Sequence, residues 1–290
     1  MAVLTRDLQI ADKPTLDQIL TRVQSIQTGV QNIQSNILDI KHGTAYDFKN
    51  CSDNTLRELI TASLNGEIDL YEDCGWRVGD KRIVEVNNIA ATGDGESHVR
   101  QEIAIVLSHH GQRRGVAYTT AAKTKSGANR LYPAFEWDMS ECLLETGYMN
   151  SSNTNSGSWD SSKRKDWMTE FAEALPSFLT MKDFKVITAT EYNSTVNKET
   201  TGKVSLRAEK EIFGTRSYSN QTEADAIDQV DFYTISANRI KHVAGTPNYY
   251  WLRSPFYSNS GYFCTVYSNG SANYNGASGT GGLSMFGCIG

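Results

Sequence analysis

No Lys, Arg, Asp or Glu follows Arg253, so the last 37 residues of this 290-residue chain carry no charged side chain. From Phe256 to Gly281 every residue except Cys264, Val266, Ala272 and Ala277 is Asn, Tyr, Ser, Gly, Thr or Phe. Such a stretch is either a low-complexity loop or a surface built onto a framework that lies elsewhere. The flanks favour the second reading. Tyr249–Leu252 before it and Leu283–Ile289 after it are apolar runs that read as buried strands. Within it, Tyr262–Tyr267 alternates, with Cys264 and Val266 expected toward a core and Thr265 and Tyr267 toward solvent.

Tyr, Ser, Gly and Asn are also the residues of adaptable binding loops. Tyr supplies broad amphipathic contact at low entropy cost, and Ser and Asn supply hydrogen bonds. The candidate ligand-contacting residues are Phe256, Tyr257, Asn259, Tyr262, Thr265, Tyr267, Ser268, Asn269, Ser271, Asn273, Tyr274 and Asn275. Recognition by uncharged groups predicts binding that depends little on salt. The net charge of −5 argues against a chain made to neutralise nucleic-acid phosphates.

A second pattern lies near the start. Leu16, Ile19, Val23, Ile26, Val30, Ile33, Ile37 and Ile40 are spaced alternately three and four apart, an unbroken heptad seam separated mostly by Gln, Asn, Ser, Thr and Asp. Pro14 and Thr15 mark a helix start and Gly43 a stop. The stripe is narrower than the apolar face of a globular helix. Ile at every d position disfavours a two-stranded coil, so residues 1–42 are expected to form an oligomerisation helix, as a parallel homotrimer, with a tetramer as the alternative that Leu16 at an a position leaves open.

Residues 43–290 read as one α+β domain. Asp53–Leu64 and about Ser162 to Ala174 have helical spacing, the second with Trp167, Met168, Phe171 and Ala174 on its apolar face. Lys81–Val86, Glu102–Leu107 and Lys185–Ala189 read as strands, and Met149–Ser162 as a polar loop. No dinucleotide, phosphate-loop, zinc-protease or nucleophile-elbow motif is present.

Other chemistry-bearing residues read as structural. Cys51, Cys74, Cys142, Cys264 and Cys288 have no metal-ligand spacing and are expected to be buried thiols. Carboxylates beside Cys74 would raise its pKa, the wrong direction for a nucleophile. His109-His110 is expected to be a loop pair. Glu141/Glu145 and Glu170/Glu173 are expected on solvated helix faces, and Arg113-Arg114 and Ser162–Lys165 as short basic patches. No catalytic residue, metal or cofactor is expected. No signal peptide, lipidation motif or membrane span is apparent, so cytoplasmic synthesis without membrane insertion is expected.

The run YYWLRSP (249–255), followed by an Asn/Tyr/Ser/Gly-rich stretch with FC at 263–264 and Val266, then FGCIG at 286–290, resembles the variable region of proteins diversified by retroelements. SWDSSKRKDWMTEFAEALPSFL (158–179), EIFG (211–214) and GWRVGD (75–80) are similar to a domain often joined to such tails. In that family, adenine-directed copying turns template AAC codons into NNC codons. These encode Tyr, Ser, Gly, Thr, Phe and Asn but not Lys, Gln, Glu, Met or Trp, and none of those five occurs between Phe256 and Gly281.

The resemblance implies a C-type-lectin-like domain over 43–290, with 249–290 as its variable ligand-binding region. It implies a receptor-binding protein or adhesin of a phage tail, located in the virion and binding a host cell-surface protein or glycan beside other tail proteins. The lectin fold does not bring calcium with it, because the tail has no carboxylate side chain. Two rivals are a virion structural or assembly protein and, further off, an enzyme of the formylglycine-generating type.

Overall fold

The computed structural model describes residues 17–28, 46–89 and 98–290. The chain divides into two units, Met1–Tyr46 and Asp47–Gly290. In the first, residues 17–28 form helix α1, on which Ile19, Leu20, Val23 and Ile26 are exposed. Leu16, Val30, Ile33, Ile37 and Ile40 of the heptad seam lie outside the described residues.

The second unit is mixed α+β, made mostly of small sheets with few helices. Helix α2 (Asp53–Leu64) starts where Ser52 caps it by accepting from the Thr55 N–H at 3.1 Å. Its buried apolar residues, Leu56, Leu59 and Ile60, recur at helical spacing, and the helix packs toward the short 3-10 turn Ser177–Leu179. Helix α3 (Lys163–Ala174) is capped by Ser162, which accepts from the Lys165 N–H at 3.1 Å, and buries Trp167, Met168, Phe171, Ala172 and Ala174.

With strands numbered along the chain, a five-stranded sheet contains β1 (Lys81–Val86), β2 (Gln101–His110), β6 (Phe135–Met139), β17 (Phe286–Ile289) and β10 (Val204–Ser205), side by side in that order. A second five-stranded sheet runs β15 (Ala272–Gly276), β14 (Tyr262–Val266), β13 (Tyr250–Pro255), β16 (Gly281–Gly282) and β7 (Thr146–Gly147). A three-stranded sheet joins β3 (Val116–Tyr118), β8 (Phe184–Ala189) and β9 (Asn197–Gly202). Two ribbons pair β4 (Ala122–Lys123) with β5 (Asn129–Arg130), and β11 (Lys241–Val243) with β12 (Thr246–Asn248).

The tail is therefore framework at both ends. β13 and β17 are buried along their whole length, and β17 lies between β6 and β10. Gly287 on β17 crosses Trp137 on β6, where an added Cβ would sit 2.7 Å from the indole. Only a residue without a side chain permits that approach.

Several expectations change. His109 and His110 are not in a loop: β2 runs on through them, with a register break between Leu107 and His109. His109 lies 2.9 Å from Asp231, and His110 stacks on Tyr71 with ring centroids 4.4 Å apart. Glu141 and Glu145 are in irregular chain, not on a helix. Glu141 pairs with His242 at 2.9 Å, and Glu145 accepts from Gln101 at 2.8 Å. Neither Arg113 nor Arg164 belongs to a surface patch, since both are buried. Arg164 donates to the Tyr148 carbonyl at 3.0 Å.

Arg113 instead enters a buried ion network that joins three elements. Glu136 on β6 accepts from Arg113 at 2.6 and 2.8 Å and from Arg207 at 2.5 Å. Asp138, two residues along the same strand, accepts from Arg207 and from the Tyr233 hydroxyl at 2.8 Å. Glu211, in the short helix α4 (Glu209–Phe213), accepts from Arg113 at 2.6 Å and from Arg253 of β13 at 2.5 Å. Three guanidinium groups thus face three carboxylates out of water, each charge countered by a partner. Burial alone would raise the Glu136 pKa, but Arg113 and Arg207 outweigh it and hold the carboxyl at about 2. Glu211 is likewise held well below the usual range, with Arg253 the largest opposing influence. The last charged residue of the chain is the bolt that fastens β13 to the body.

Candidate ligand-binding surface

Beyond β13 the chain turns through 256–261 and returns as β14. The turn is fixed by the Phe256 N–H donating to the Tyr262 carbonyl at 3.0 Å, and by the Gly261 N–H donating to the Asn259 side chain at 2.8 Å. The polar loop 149–162 braces it from outside. The Asn155 side chain, itself buried, donates to the Asn259 carbonyl at 3.0 Å and the Tyr262 carbonyl at 2.7 Å. Asn153 accepts from the Ser278 N–H at 3.1 Å and from its hydroxyl at 2.8 Å.

The Cys264 and Val266 side chains join a core cluster with Ile212, Val230, Tyr233, Tyr250 and Leu252. At the margin of this cluster the sheet presents aromatic rings. Phe256 and Tyr274 stack with centroids 4.2 Å apart and planes 5° from parallel. Tyr262 meets the Tyr274 ring edge-on at 5.7 Å, and Tyr257 meets Phe256 at 5.4 Å. Tyr218, from the loop after α4, touches both stacked rings, at 5.0 Å from Tyr274 and 5.9 Å from Phe256. Tyr257 and Tyr274 remain 41% and 39% exposed, so the cluster opens to solvent.

The patch is held from beneath. Helix α4 begins with Glu209, whose buried carboxylate accepts from the N–H groups of Ser217, Tyr218 and Ser219 and from the Ser219 hydroxyl, at 2.7–3.1 Å. The Tyr257 N–H donates to the Tyr218 carbonyl, and the Asn193 N–H to the Tyr257 carbonyl, both at 2.9 Å. Arg216 places its guanidinium 5.1 Å from the Tyr257 ring centroid. Below Glu209, Ser254 links two acids: its hydroxyl accepts from the Glu209 N–H at 3.0 Å and donates to the buried Glu223, which also accepts from Ala189 N–H at 2.9 Å. Burial pushes the Glu223 pKa up to about 7, against the lowering influence of Ser254 and Arg253.

The expected contact residues do not form one continuous surface. Phe256, Tyr257, Tyr262 and Tyr274 come together. Thr265 does not look outward: it is 1% exposed. β14 is an inner strand paired with both β13 and β15, and Thr265 sits opposite Trp251, which is itself fully buried. Alternation supposes one wet face, whereas here both faces of β14 are covered. Asn273 and Asn275 alternate with Tyr274, so their side chains leave the opposite face of β15. Tyr267, Ser268, Asn269 and Ser271 form the β14–β15 turn, five or more residues from Tyr262 and so ~17 Å or more along the strand direction. There the Ser271 N–H and hydroxyl bond the Asn269 side chain at 3.0 and 2.7 Å. Asn259 lies at the outer 256–261 turn, exposed.

Asn273 and Asn275 have a local task. Tyr267 donates to Ser271, and Ala277 to Gly261, so odd-numbered residues of the hairpin bond across it. The even-numbered N–H groups of β15 face the open sheet edge. Those of Tyr274 and Gly276 donate to the side chains of Asn273 and Asn275 at 2.9 and 2.8 Å. Each asparagine caps the donor of the residue after it. Tyr218 and Arg216, which share the aromatic patch, are outside the composition-biased stretch and carry no sequence signal beyond their type.

The cysteines are all free thiols. Burial, then Asp73, pushes Cys74 up to about 12, and burial pushes Cys142 up to about 12. Among the described residues no three His, Cys, Asp or Glu side chains gather as a metal-binding set. No described helix is long and apolar enough to cross a membrane.

A search of curated proteins found no match to this chain, and a search of solved structures found none. A family described as "Domain of unknown function (DUF6273)" matches residues 139–283, from the end of β6 to just past β16. That span is half of the chain and contains every element of the aromatic patch; the protein belongs to the DUF6273 family.

Proposed function

We propose that this protein is a non-catalytic ligand-binding protein, a receptor-binding or adhesive component of a phage tail. Its body is of the C-type-lectin kind, and its 249–290 region is diversified by a retroelement. The observation that carries this reading is the Phe256–Tyr274 stack with Tyr257, Tyr262 and Tyr218 around it. These are solvent-reaching rings set on strands whose other ends are locked into the core. Rigid aromatic anchors surrounded by adaptable polar side chains are what a binding surface of variable sequence requires. Burial of four of the five cysteines, and the raised pKa of Cys74, favour binding over thiol chemistry.

The helix of residues 17–28 supports a coiled-coil stem, because Ile19, Val23 and Ile26 stand exposed at seam positions on one chain. A homotrimer would then raise a weak single-site affinity by avidity. The stem and body belong to a virion particle whose partner is a host cell-surface protein or glycan.

The test is capture of immobilised glycans and surface proteins by the full-length oligomer, compared with Tyr274→Ala. Specific capture by the wild type that Tyr274→Ala reduces at least tenfold supports the reading. Capture of nothing, or capture indifferent to Tyr274, Tyr257 and Tyr262, refutes it.

A further inference from the structure

The aromatic patch is uncharged in the tail itself, yet one cation from outside the tail lies on it. Arg216 is exposed and lies over the Tyr257 ring, 5.1 Å from its centroid. A guanidinium has five N–H donors. Among the described residues the only protein acceptor for Arg216 is the Ser219 carbonyl, 2.8 Å from Nη1, and no carboxylate lies within ion-pair distance. The contrast within this molecule is sharp: Arg113, Arg207 and Arg253 are each matched by buried carboxylates. Glu209, the acid that holds residues 217–219, has its oxygens occupied by four donors from Ser217, Tyr218 and Ser219. The guanidinium therefore keeps its charge and most of its donors for an outside partner, while it rests over the Tyr257 ring.

The surrounding groups narrow what that partner is. The hydroxyls of Tyr218, Tyr257, Tyr262 and Tyr274 have no protein hydrogen-bond partner among the described residues. Ring faces, a rim of phenol hydroxyls and one planar cation form a shallow site. A pyranose offers the complement: a C–H face for a ring, hydroxyls for the phenols, and, in an acidic sugar, a carboxylate for bidentate pairing with guanidinium.

We infer that the aromatic patch is a subsite for a carboxylate-bearing sugar residue, with Arg216 as the specificity-determining group that pairs the carboxylate. This rests on the ligand-binding reading above. It also changes one expectation from the tail alone: binding acquires the modest salt dependence of a single ion pair.

The experiment uses the full chain on parallel arrays of neutral oligosaccharides, oligosaccharides ending in uronic or sialic acid, and acidic peptides. Wild type, Arg216→Gln, Arg216→Lys and Tyr274→Ala are compared, with folding checked by thermal melting. The expected result is capture of acid-bearing sugars over their neutral counterparts. Arg216→Gln should lower that capture about tenfold or more and abolish the preference for acid. Arg216→Lys should restore part of the capture, since it keeps charge but loses the planar fork.

Capture of acidic sugars that Arg216→Gln leaves unchanged overturns the inference. So does preferential capture of neutral sugars or of acidic peptides, either of which leaves the binding function standing. Capture that Tyr274→Ala does not reduce removes this subsite, and no capture on any array removes the binding function and this subsite with it.

Discussion

Replacing Glu223 by Gln should make the protein more stable at pH 8 and nearly neutral in effect at pH 4.5. Glu223 is wholly buried, takes one donor on each oxygen, and has Arg253 and Glu209 as the charged groups facing it. Its folded pKa is about 7 against 4.5 for an ordinary glutamate. Between those values the folded chain keeps a proton that the unfolded chain has released, so stability falls as pH rises from 4.5 to 7 and then levels off. The difference amounts to ~3 kcal/mol at and above pH 7. Gln is neutral at every pH and can still accept from the Ala189 N–H, so the variant lacks that loss. The measurement is urea denaturation of wild type and Glu223→Gln at half-unit steps from pH 4.5 to 8.5, at fixed protein concentration. The stability difference between them should grow by ~3 kcal/mol across the window, most steeply near pH 6. A constant difference would show that Glu223 ionises in the folded protein much as it does in the unfolded one, and the argument from burial would fail. The carbonyl stretch of a protonated carboxyl, present at pH 6 and absent in the variant, gives an independent readout.

Other substitutions test the framework and the stem. Glu136, held at about 2, contributes stability that is present above its ordinary value of 4.5 and lost as pH falls through about 2, so acid unfolding should begin below pH 4. Arg253→Met leaves Glu211 short of a buried partner and should cost ~3–5 kcal/mol in the same denaturation assay; a cost under 1 would show the network is slack. Gly287→Ala drives a methyl into Trp137 and should lower the melting temperature by several degrees or prevent folding. Ile19→Asp with Ile26→Asp should convert an oligomer to a monomer by sedimentation, whereas an unchanged mass would remove the stem from the seam 16–40.

The elements legible in the sequence were those whose evidence is local. Asp53–Leu64 and Lys81–Val86 have the boundaries that periodicity predicts, and the helix around Trp167 and Phe171 buries the face expected of it. β2 extends beyond its apolar run because His109 and His110 are accommodated by Asp231 and Tyr71, neither nearby in sequence. The ion network was not legible for the same reason: Arg113 and Glu211 are 98 residues apart. The composition of the tail pointed to the right strands but blurred their roles. It could not separate Tyr274, on the patch, from Asn273 and Asn275, which cap a sheet edge, or from Thr265, which a second covering layer hides. Arg216 and Tyr218 lie outside any bias and are recognised only by what they touch.

The inner position of β17 carries a consequence for synthesis. The first sheet has β6 ready to pair once residue 139 has emerged, but its neighbour on the far side is made of residues 286–289. A ribosome must therefore add more than a hundred residues, the Asn/Tyr/Ser/Gly-rich stretch among them, while the β6 edge waits uncovered. Substitutions in the tail that slow hairpin formation would prolong that interval and favour aggregation of nascent chains. Selection on such a chain then acts on the yield of folded molecules as well as on the surface each one presents.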